Sequence, residues 1–471
     1  MRVLVVGGGA REHAIAWGLD RSHAEVVVAS PHPHPGLDRI ARASLRADPA
    51  QAGPLVEFAK AQGVRYAVIG PEAPLAAGLA DALRAAEVPV VGPSKAGAQI
   101  ESSKRYCREL LTKHDIRASP RFVALSSPEE VDAAVHDFPG EFVVKPVGLT
   151  SGKGVWVQGR DFPAPSDGAA YAKQLLTNSS GGVLLEEKLE GEEFSVMAFV
   201  TDSGVYPMPV VQDYKRAGVG DSGPNTGGMG SYSQRDHLLP FLSAEHRDAA
   251  FDVVKRTAAA LRSEGIAYRG ILYGGFMLTA RGPLLMEFNA RFGDPEGINV
   301  ISLYEDGDFA GLLEGVAFGR VDPTLLRFRQ RASVVKYLVP PGYPASPTAG
   351  GILEVDEPGI EALGVHVFYG GVEPAGPARV KVGTSRAVAL VGEASAIAEA
   401  SHRVDAAAAR VRGEFAWRSD VGSRDDVLKR TEHVRRLLSP GAKPSPLPLS
   451  VARPDAPPSS AGTLAQVMGP A

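Results

Sequence analysis

The run Met286-Glu287-Phe288-Asn289-Ala290-Arg291 concentrates more chemistry than any other stretch of the sequence. In a strand, successive side chains point to opposite faces, so Glu287 and Asn289 share one side while Met286 and Phe288 pack on the other. A carboxylate beside an amide oxygen is a hard ligand pair, suited to Mg²⁺ or Mn²⁺ shared with phosphate oxygens. Arg291 has the same parity and could clamp a carboxylate or phosphate in a bidentate fork. A solvated hairpin face is the plain alternative.

Lys145 ends an apolar run and is followed by Gly148-Leu149-Thr150-Ser151-Gly152-Lys153-Gly154. No G-x-x-x-x-G-K-[ST] leading into a helix is present, so this is not a P-loop. Three glycines, two hydroxyl residues and a lysine make a flap of backbone N–H donors suited to a polyphosphate, with Lys145 as a fixed charge beneath it. A solvated hairpin loop would look the same. Leu184–Glu193 is acidic at a strand end. It could bind the amino group and ribose hydroxyls of a nucleotide, or be a solvated edge. Asp213-Tyr214-Lys215-Arg216 precedes a glycine-rich loop over 217–233. Ordering such a loop costs entropy, which is easier to explain if its backbone must approach a ligand. A mobile surface loop is the alternative.

The N-terminal Gly7-Gly8-Gly9 invites a dinucleotide-binding reading that the spacing rejects. Glu12 stands where a third glycine should be, and the next strand ends at Ala29-Ser30 without an acid for a ribose. Glycine backbone at a helix start can still cradle an anion, and a tight turn explains it equally well. No His/Cys cluster has metal-ligand spacing. His32 and His34 flank prolines and read as loop residues. Cys107 reads as a small packing residue.

The positioning elements follow from periodicity. Strands at Arg2–Val6, Val26–Ala29, Tyr66–Ile69 and Val88–Val91 alternate with helices, which predicts a parallel α/β domain over 1–100. From about 101 to 330, hairpin-linked strands and helices predict an α+β unit, including a hairpin of Ile271–Leu278 with Pro283–Asn289. From 331 to 438 short strands punctuated by Pro-Pro-Gly and Gly-Gly predict a β-rich domain. The Pro/Ala/Ser/Gly-rich stretch 439–471 reads as a disordered tail. The 471 residues allow several domains. With 22% charged residues and a net charge of -4, neither a nucleic-acid binder nor a membrane-surface protein is indicated. One cysteine and an N-terminus without signal-peptide features lead us to expect a cytoplasmic protein.

GGGAREHA (7–14), GPEAPLAAG (70–78), VVGPSKAGAQIESSK (90–104), VKPVGLTSGKGV (144–155), EEKLEGEEFS (186–195), GPNTGGMGSYS (223–233), EFNARFGDPE (287–296) and RSDVG (418–422) resemble, in this order, the phosphoribosylamine–glycine ligase (glycinamide ribonucleotide synthetase) family. The match spans about 1–425. The resemblance implies an ATP-grasp core with a mobile lid subdomain near 120–193 and a small C-terminal β-rich domain. It implies ligation of glycine to 5-phosphoribosylamine through an acyl phosphate, with ATP and Mg²⁺ or Mn²⁺, in a monomer or small homo-oligomer. By position, Lys104 and Lys145 would bind ATP phosphates and Gly152, Lys153 and Gly154 would close over them. Glu186, Glu187 and Leu189 would line the adenine pocket and Glu193 the ribose. Glu287 and Asn289 would hold the metal. Gly9, Asp213, Lys215, Pro224, Asn225, Thr226, Gly227, Gly228, Met229, Arg291 and Asp294 would position substrates, with Arg291, Asp213 and Lys145 as the catalytic groups. Val147, Tyr214, Gly275, Gly297 and Ile298 depart from the common pattern, and the departures at Gly275 and at Gly297-Ile298, near the presumed substrate and metal region, leave room for a paralogue joining a different carboxylate and amine.

Overall fold

The computed structural model describes residues 1–149, 154–178 and 181–439. Gly152 and Lys153, with Thr150 and Ser151, lie outside the described residues, as does the tail from 440.

Arg2–Val6 is the centre of a five-stranded parallel sheet. Glu25–Ser30 and Tyr66–Ile69 flank it, and Ala43–Arg46 and Val90–Val91 form the edges. Its unbroken apolar run is explained by burial on both faces. Val3 and Val5 enter one core cluster, Leu4 and Val6 another. The edge strand Ala43–Arg46 escapes a reading by periodicity, because only pairing with Glu25–Ser30 makes this polar segment extended. Helix Ala10–Arg21 opens at Gly9, whose N–H donates to Glu12 Oε2 at 2.7 Å. A Cβ on Gly7 would come within 2.6 Å of Glu12 Cγ, and one on Gly70 would collide with Glu12 Oε1. These glycines therefore make room for an internal anion at the helix start.

Two antiparallel sheets follow. The floor sheet runs Val205–Pro207, Glu192–Val200, Gly270–Thr279, Gly282–Asn289. The roof sheet runs Phe122–Leu125, Val183–Glu187, Phe142–Pro146, Trp156–Val157. Hairpin linkage fails at several joints: Phe122–Leu125 and Trp156–Val157 each pair with a strand other than the one that follows them, and the chain leaves the roof sheet after Glu187 to enter the floor sheet at Glu192. On the floor sheet, Phe194, Val196, Ala198 and Val200 pack in a core with helix Ala244–Ser263, while Met197, Phe199 and Tyr273 face a second core. A register shift after Gly275 places both Leu285 and Phe288 in the first of these cores. Met286 is half-buried and outside it, so strict alternation fails at this one residue.

The stretch 217–233 is not the long loop expected. Arg216–Gly218 pairs with Ser222–Asn225, and Gly230–Ser233 joins a five-stranded sheet in the order Gln212–Asp213, Gly230–Ser233, Ala332–Leu338, Val388–Ala394, Val365–Tyr369. Long-range pairing of Gly230 with Lys336 overrides the local glycine signal. A second, four-stranded sheet of Val372–Pro374, Arg379–Val382, Ile352–Val355 and Val411–Arg412 adjoins, and the described chain closes with helix Arg424–Leu437. One core cluster takes residues from all three regions, among them Val5, Met197 and Phe368.

His34, expected in a loop, is buried. Its Nδ1 accepts from Leu37 N–H and its Nε2 lies 2.9 Å from Tyr369 O, pinning the first region to the third. Burial lowers its pKa to about 4, keeping it neutral. Cys107 is buried in helix Lys104–Lys113, and burial pushes its thiol up to about 11, as suits a packing residue. Among the described residues no helix is long and apolar enough to cross a membrane.

A Cβ on Gly230 would collide with Val335 O, which is backbone and cannot rotate away. Gly230→Ala should lower the unfolding free energy by about 1–3 kcal/mol in urea denaturation.

Candidate functional site

The floor sheet sets two cross-strand rows, Ser195–Gly275–Glu287 and Met197–Tyr273–Asn289. Glu287 and Asn289 thus lie on one face, as parity requires. Gly275 shares it, since a Cβ there would meet Glu287 Cγ at 3.6 Å. Among the described residues no donor hydrogen-bonds Glu287. Burial would raise its carboxyl, but the fields of Lys215, Lys104, Lys145 and Arg291 hold it below the usual carboxylate range. The Glu287 carboxylate therefore lies in the combined field of the lysines that the sequence pointed to.

Each cation has its own anchor. Lys104 opens its helix under the cap of Ser103, and its Nζ donates to Gly148 O at 3.0 Å. Lys145 Nζ meets Glu186 Oε2 at 2.5 Å. Glu186 Oε1 accepts from Arg108 Nε at 2.7 Å, and Arg108 Nη2 reaches Met286 O at 2.6 Å. Arg108 thereby bridges the roof and floor sheets. Sequence reasoning missed it, although its place among Cys107, Leu110 and Leu111 on the buried face of a helix was a readable signal. Lys215 Nζ pairs with Glu193 Oε2 at 2.8 Å. Gly154, the described end of the glycine flap, adjoins Pro146 and accepts from Tyr171 Oη at 3.0 Å.

At Glu186, Glu187 and Glu192 the acidic stretch is neither a solvated edge nor a row of open carboxylates, whereas Glu190 is exposed. Glu186 is taken by Arg108 and Lys145, Glu187 by Arg281 at 2.8 Å, and Glu192 by Arg430 at 2.9 Å and His433 at 2.7 Å. Leu189 is half-buried in the crossing between sheets.

Arg291 Nη2 lies 3.0 Å from Glu101 Oε1 and 3.2 Å from Asn289 Oδ1, and its Nε is 3.5 Å from Glu72 Oε2. Glu101 was not foreseen. Arg11 links Glu12, at 2.6 Å, to Phe292 O, at 3.1 Å, and so brings the Gly9 turn to the same segment. Asp213 is buried. Burial, with Glu296 and Glu193 nearby, pushes its carboxyl up to about 7 against the opposing field of Lys215. Tyr273, also missed, donates to Glu296 Oε1 at 2.7 Å and sits 2.8 Å from Ser195 Oγ.

In the glycine-rich segment, Pro224 is exposed and Asn225 half-buried. Thr226 N–H and Oγ1 both donate to Lys215 O, at 2.7 and 2.9 Å, and Gly228 N–H donates to Thr226 Oγ1 at 3.0 Å. Gly227 adjoins Arg386. Met229 was expected beside substrate, but its side chain is core. Both carboxylate oxygens of Asp294 are occupied, one by Tyr337 Oη and the other by Arg386 Nη2 at 2.8 Å. Tyr214 turns away from Asp213 and Lys215. Its Oη donates to Asp426 at 2.7 Å, with Arg418 and Arg430 over its ring. Gly297 and Ile298 are packing positions in helix Glu296–Leu303. Val147 is buried, and its carbonyl accepts from Lys104 N–H.

Family models match across this site. That of the phosphoribosylglycinamide synthetase N domain covers residues 1–101, and that of its ATP-grasp (A) domain covers 102–297. The chain is 42% identical over 438 residues to the phosphoribosylamine–glycine ligase of Methanoregula boonei, covering 93% of this chain and 100% of that one. It is 43% identical over 437 residues to that of Pyrococcus abyssi, covering 93% and 98%. The solved phosphoribosylamine–glycine ligase of Thermotoga maritima superposes with a TM-score of 0.75 at 27% identity, over 89% of this chain and 100% of that one. The biotin carboxylase domain of a Hydrogenobacter thermophilus 2-oxoglutarate carboxylase, solved with MgADP, shares the fold at a TM-score of 0.67 and 15% identity, over 88% of this chain and 90% of that one.

Burial alone would raise Glu186, but Arg108 and Lys145 bring it down to about 2. A carboxyl depressed on folding stabilises above its unfolded value and loses that contribution as pH falls through its folded value. Glu186→Gln, which leaves Arg108 and Lys145 uncompensated, should cost about 3–5 kcal/mol at pH 7. The gap to wild type should narrow between about pH 4.5 and pH 2 in denaturation midpoints.

Proposed function

The chain belongs to the phosphoribosylglycinamide synthetase family, and from that premise we infer that it joins glycine to 5-phosphoribosylamine at the expense of ATP. The products are glycinamide ribonucleotide, ADP and phosphate, formed through glycyl phosphate in de novo purine biosynthesis. The observation that carries the reading is that Glu287 and Asn289 share one strand face, with Arg291 on the amide oxygen at 3.2 Å and Glu287 in the field of Lys215, Lys104 and Lys145.

The donor set fits Mg²⁺ or Mn²⁺. Among the described residues no three His, Cys, Asp or Glu side chains form a metal cage. One carboxylate and one amide oxygen suit an ion that completes its shell with phosphate oxygens and water. When bound, the ion would neutralise phosphate charge.

The chemical problem is repulsion. A carboxylate and a γ-phosphate held about 3.5 Å apart repel by about 5 kcal/mol per charge pair at an effective dielectric near 20. In our reading Lys104 and Lys145 hold the phosphates, the Gly152–Gly154 flap shields them from water, and Arg291 offsets the charge of the acid. Leu189 and the neighbouring main chain meet the adenine, because the Glu186 and Glu187 carboxylates already have partners. Glu193 also has a partner, Lys215, but its carboxylate is half-exposed, and it meets the ribose. Gly9, Lys215 and the Pro224–Gly228 segment shape the substrate cavity. The amine nitrogen then attacks the acyl carbon, the C–O bond to phosphate breaks, and the nitrogen sheds a proton. Asp213, poised near neutrality, is the acceptor for it. Of the departures that suggested a paralogue, only Gly275 shares the face of Glu287, so the standard substrate pair is favoured.

ADP release measured with each substrate omitted in turn tests the assignment. Strict dependence on glycine plus phosphoribosylamine is expected, and turnover only with another acid or amine would overturn it. Glu287→Gln should lower kcat by on the order of 10³-fold with unchanged thermal melting. The acid limb of kcat/KM for the amine should turn near pH 7, and Asp213→Asn should flatten it.

A further inference from the structure

The geometry points to Arg386 as a positioning residue that locks segments 223–229 and 293–297 into one wall of the substrate cavity, an inference that rests on the function proposed above. Arg386 comes from the third region, just before strand Val388–Ala394. Its Nη1 shares two hydrogens among three carbonyls, those of Gly227 at 2.7 Å, Gly228 at 2.9 Å and Asp294 at 2.8 Å. Its Nη2 donates to Asp294 Oδ2 at 2.8 Å. Three carbonyls and a carboxylate converging on one point repel each other unless a cation stands between them. A planar guanidinium can serve several acceptors in fixed directions, whereas a lysine ammonium cannot copy the fork.

The surroundings hold the guanidinium in place. It lies 4.5 Å over the Tyr337 ring, Tyr337 Oη donates to Asp294 Oδ1, and Tyr337 N–H donates to Met229 O at 2.9 Å. Gly228 has φ +109°, and a Cβ there would lie 2.6 Å from Pro295 Cδ. The segments touch because their backbones can approach without side chains. Each extends into the site. Asp294 follows Asn289 and Arg291 on one. On the other, Thr226 ties back to Lys215 O and Met229 N–H to Tyr214 O, fixing the segment that continues strand Gln212–Asp213. One guanidinium therefore sets the spacing between the oxygen pair with Arg291 and the expected proton acceptor Asp213.

The test compares R386Q, R386K, D294N and R386Q/D294N for kcat, KM of glycine and of amine generated in situ, calorimetric MgADP affinity and thermal melting. R386Q should lower kcat about 30–100-fold and raise the amine KM several-fold, with MgADP affinity within twofold of wild type. R386K should recover part of the loss. The double variant should be no worse than R386Q, because Asp294 acts through the same clamp. Wild-type kinetics in R386Q, multiplying losses in the double variant, or a MgADP affinity that falls with the rate would overturn the inference. If R386Q does not fold, a folded R386K decides. Lost kcat with retained MgADP affinity supports the clamp, and wild-type kinetics refutes it. A wild-type protein inactive with glycine and amine would instead sink the functional reading.

Discussion

Like charges crowd together at this site, and the fold offsets that with buried and half-buried counter-ions. Lys145 and Arg108 are held by Glu186, Lys215 by Glu193, and Arg291 by Glu101 and Glu72. Without those anions the cations would repel one another, and burial would drive the lysines toward their neutral form. Held as they are, they present a field to which an incoming polyphosphate can couple without reorganising the protein. The Glu186–Arg108–Met286 bridge also fixes the roof sheet against the floor sheet, so the same interaction positions the charge and the walls around it.

The N-terminal glycine turn works by the opposite logic. Its helix start already holds an anion of the protein, Glu12, which in turn holds Arg11 against Phe292 O. Beside any ligand it helps to shape, the motif braces the parallel sheet against the segment bearing Arg291. A second glycine-built close approach occurs at Gly228, where a Cβ would run into Pro295 Cδ and lie 3.4 Å from Asp294 O.

Period-two alternation made the Glu287–Asn289 pair legible, and hydrophobic runs made the parallel sheet legible, because both are local properties. What stayed hidden depends on partners far away in the chain. Ala43–Arg46 is a strand only beside Glu25–Ser30, and Gly230–Ser233 only beside Ala332–Leu338. His34 is buried only because Tyr369 lies against it. Arg386 and Tyr337 carry no motif, and their meaning comes from carbonyls more than 90 residues away. The displacement of Met286 needed knowledge of a register shift that no side-chain pattern announces.

The mixed parentage of the five-stranded sheet limits how the polypeptide can be shortened. Gly230–Ser233 has Gln212–Asp213 on one side and Ala332–Leu338 on the other. A fragment ending near residue 300 would strip that second neighbour and leave a naked row of amides and carbonyls, a template for intermolecular pairing. Such a fragment would also lose helix Arg424–Leu437, and with it the Arg430 and His433 partners of buried Glu192 at the start of a floor strand. Excision at the apparent border of the nucleotide-handling portion would therefore yield an aggregating polypeptide rather than a minimal catalyst.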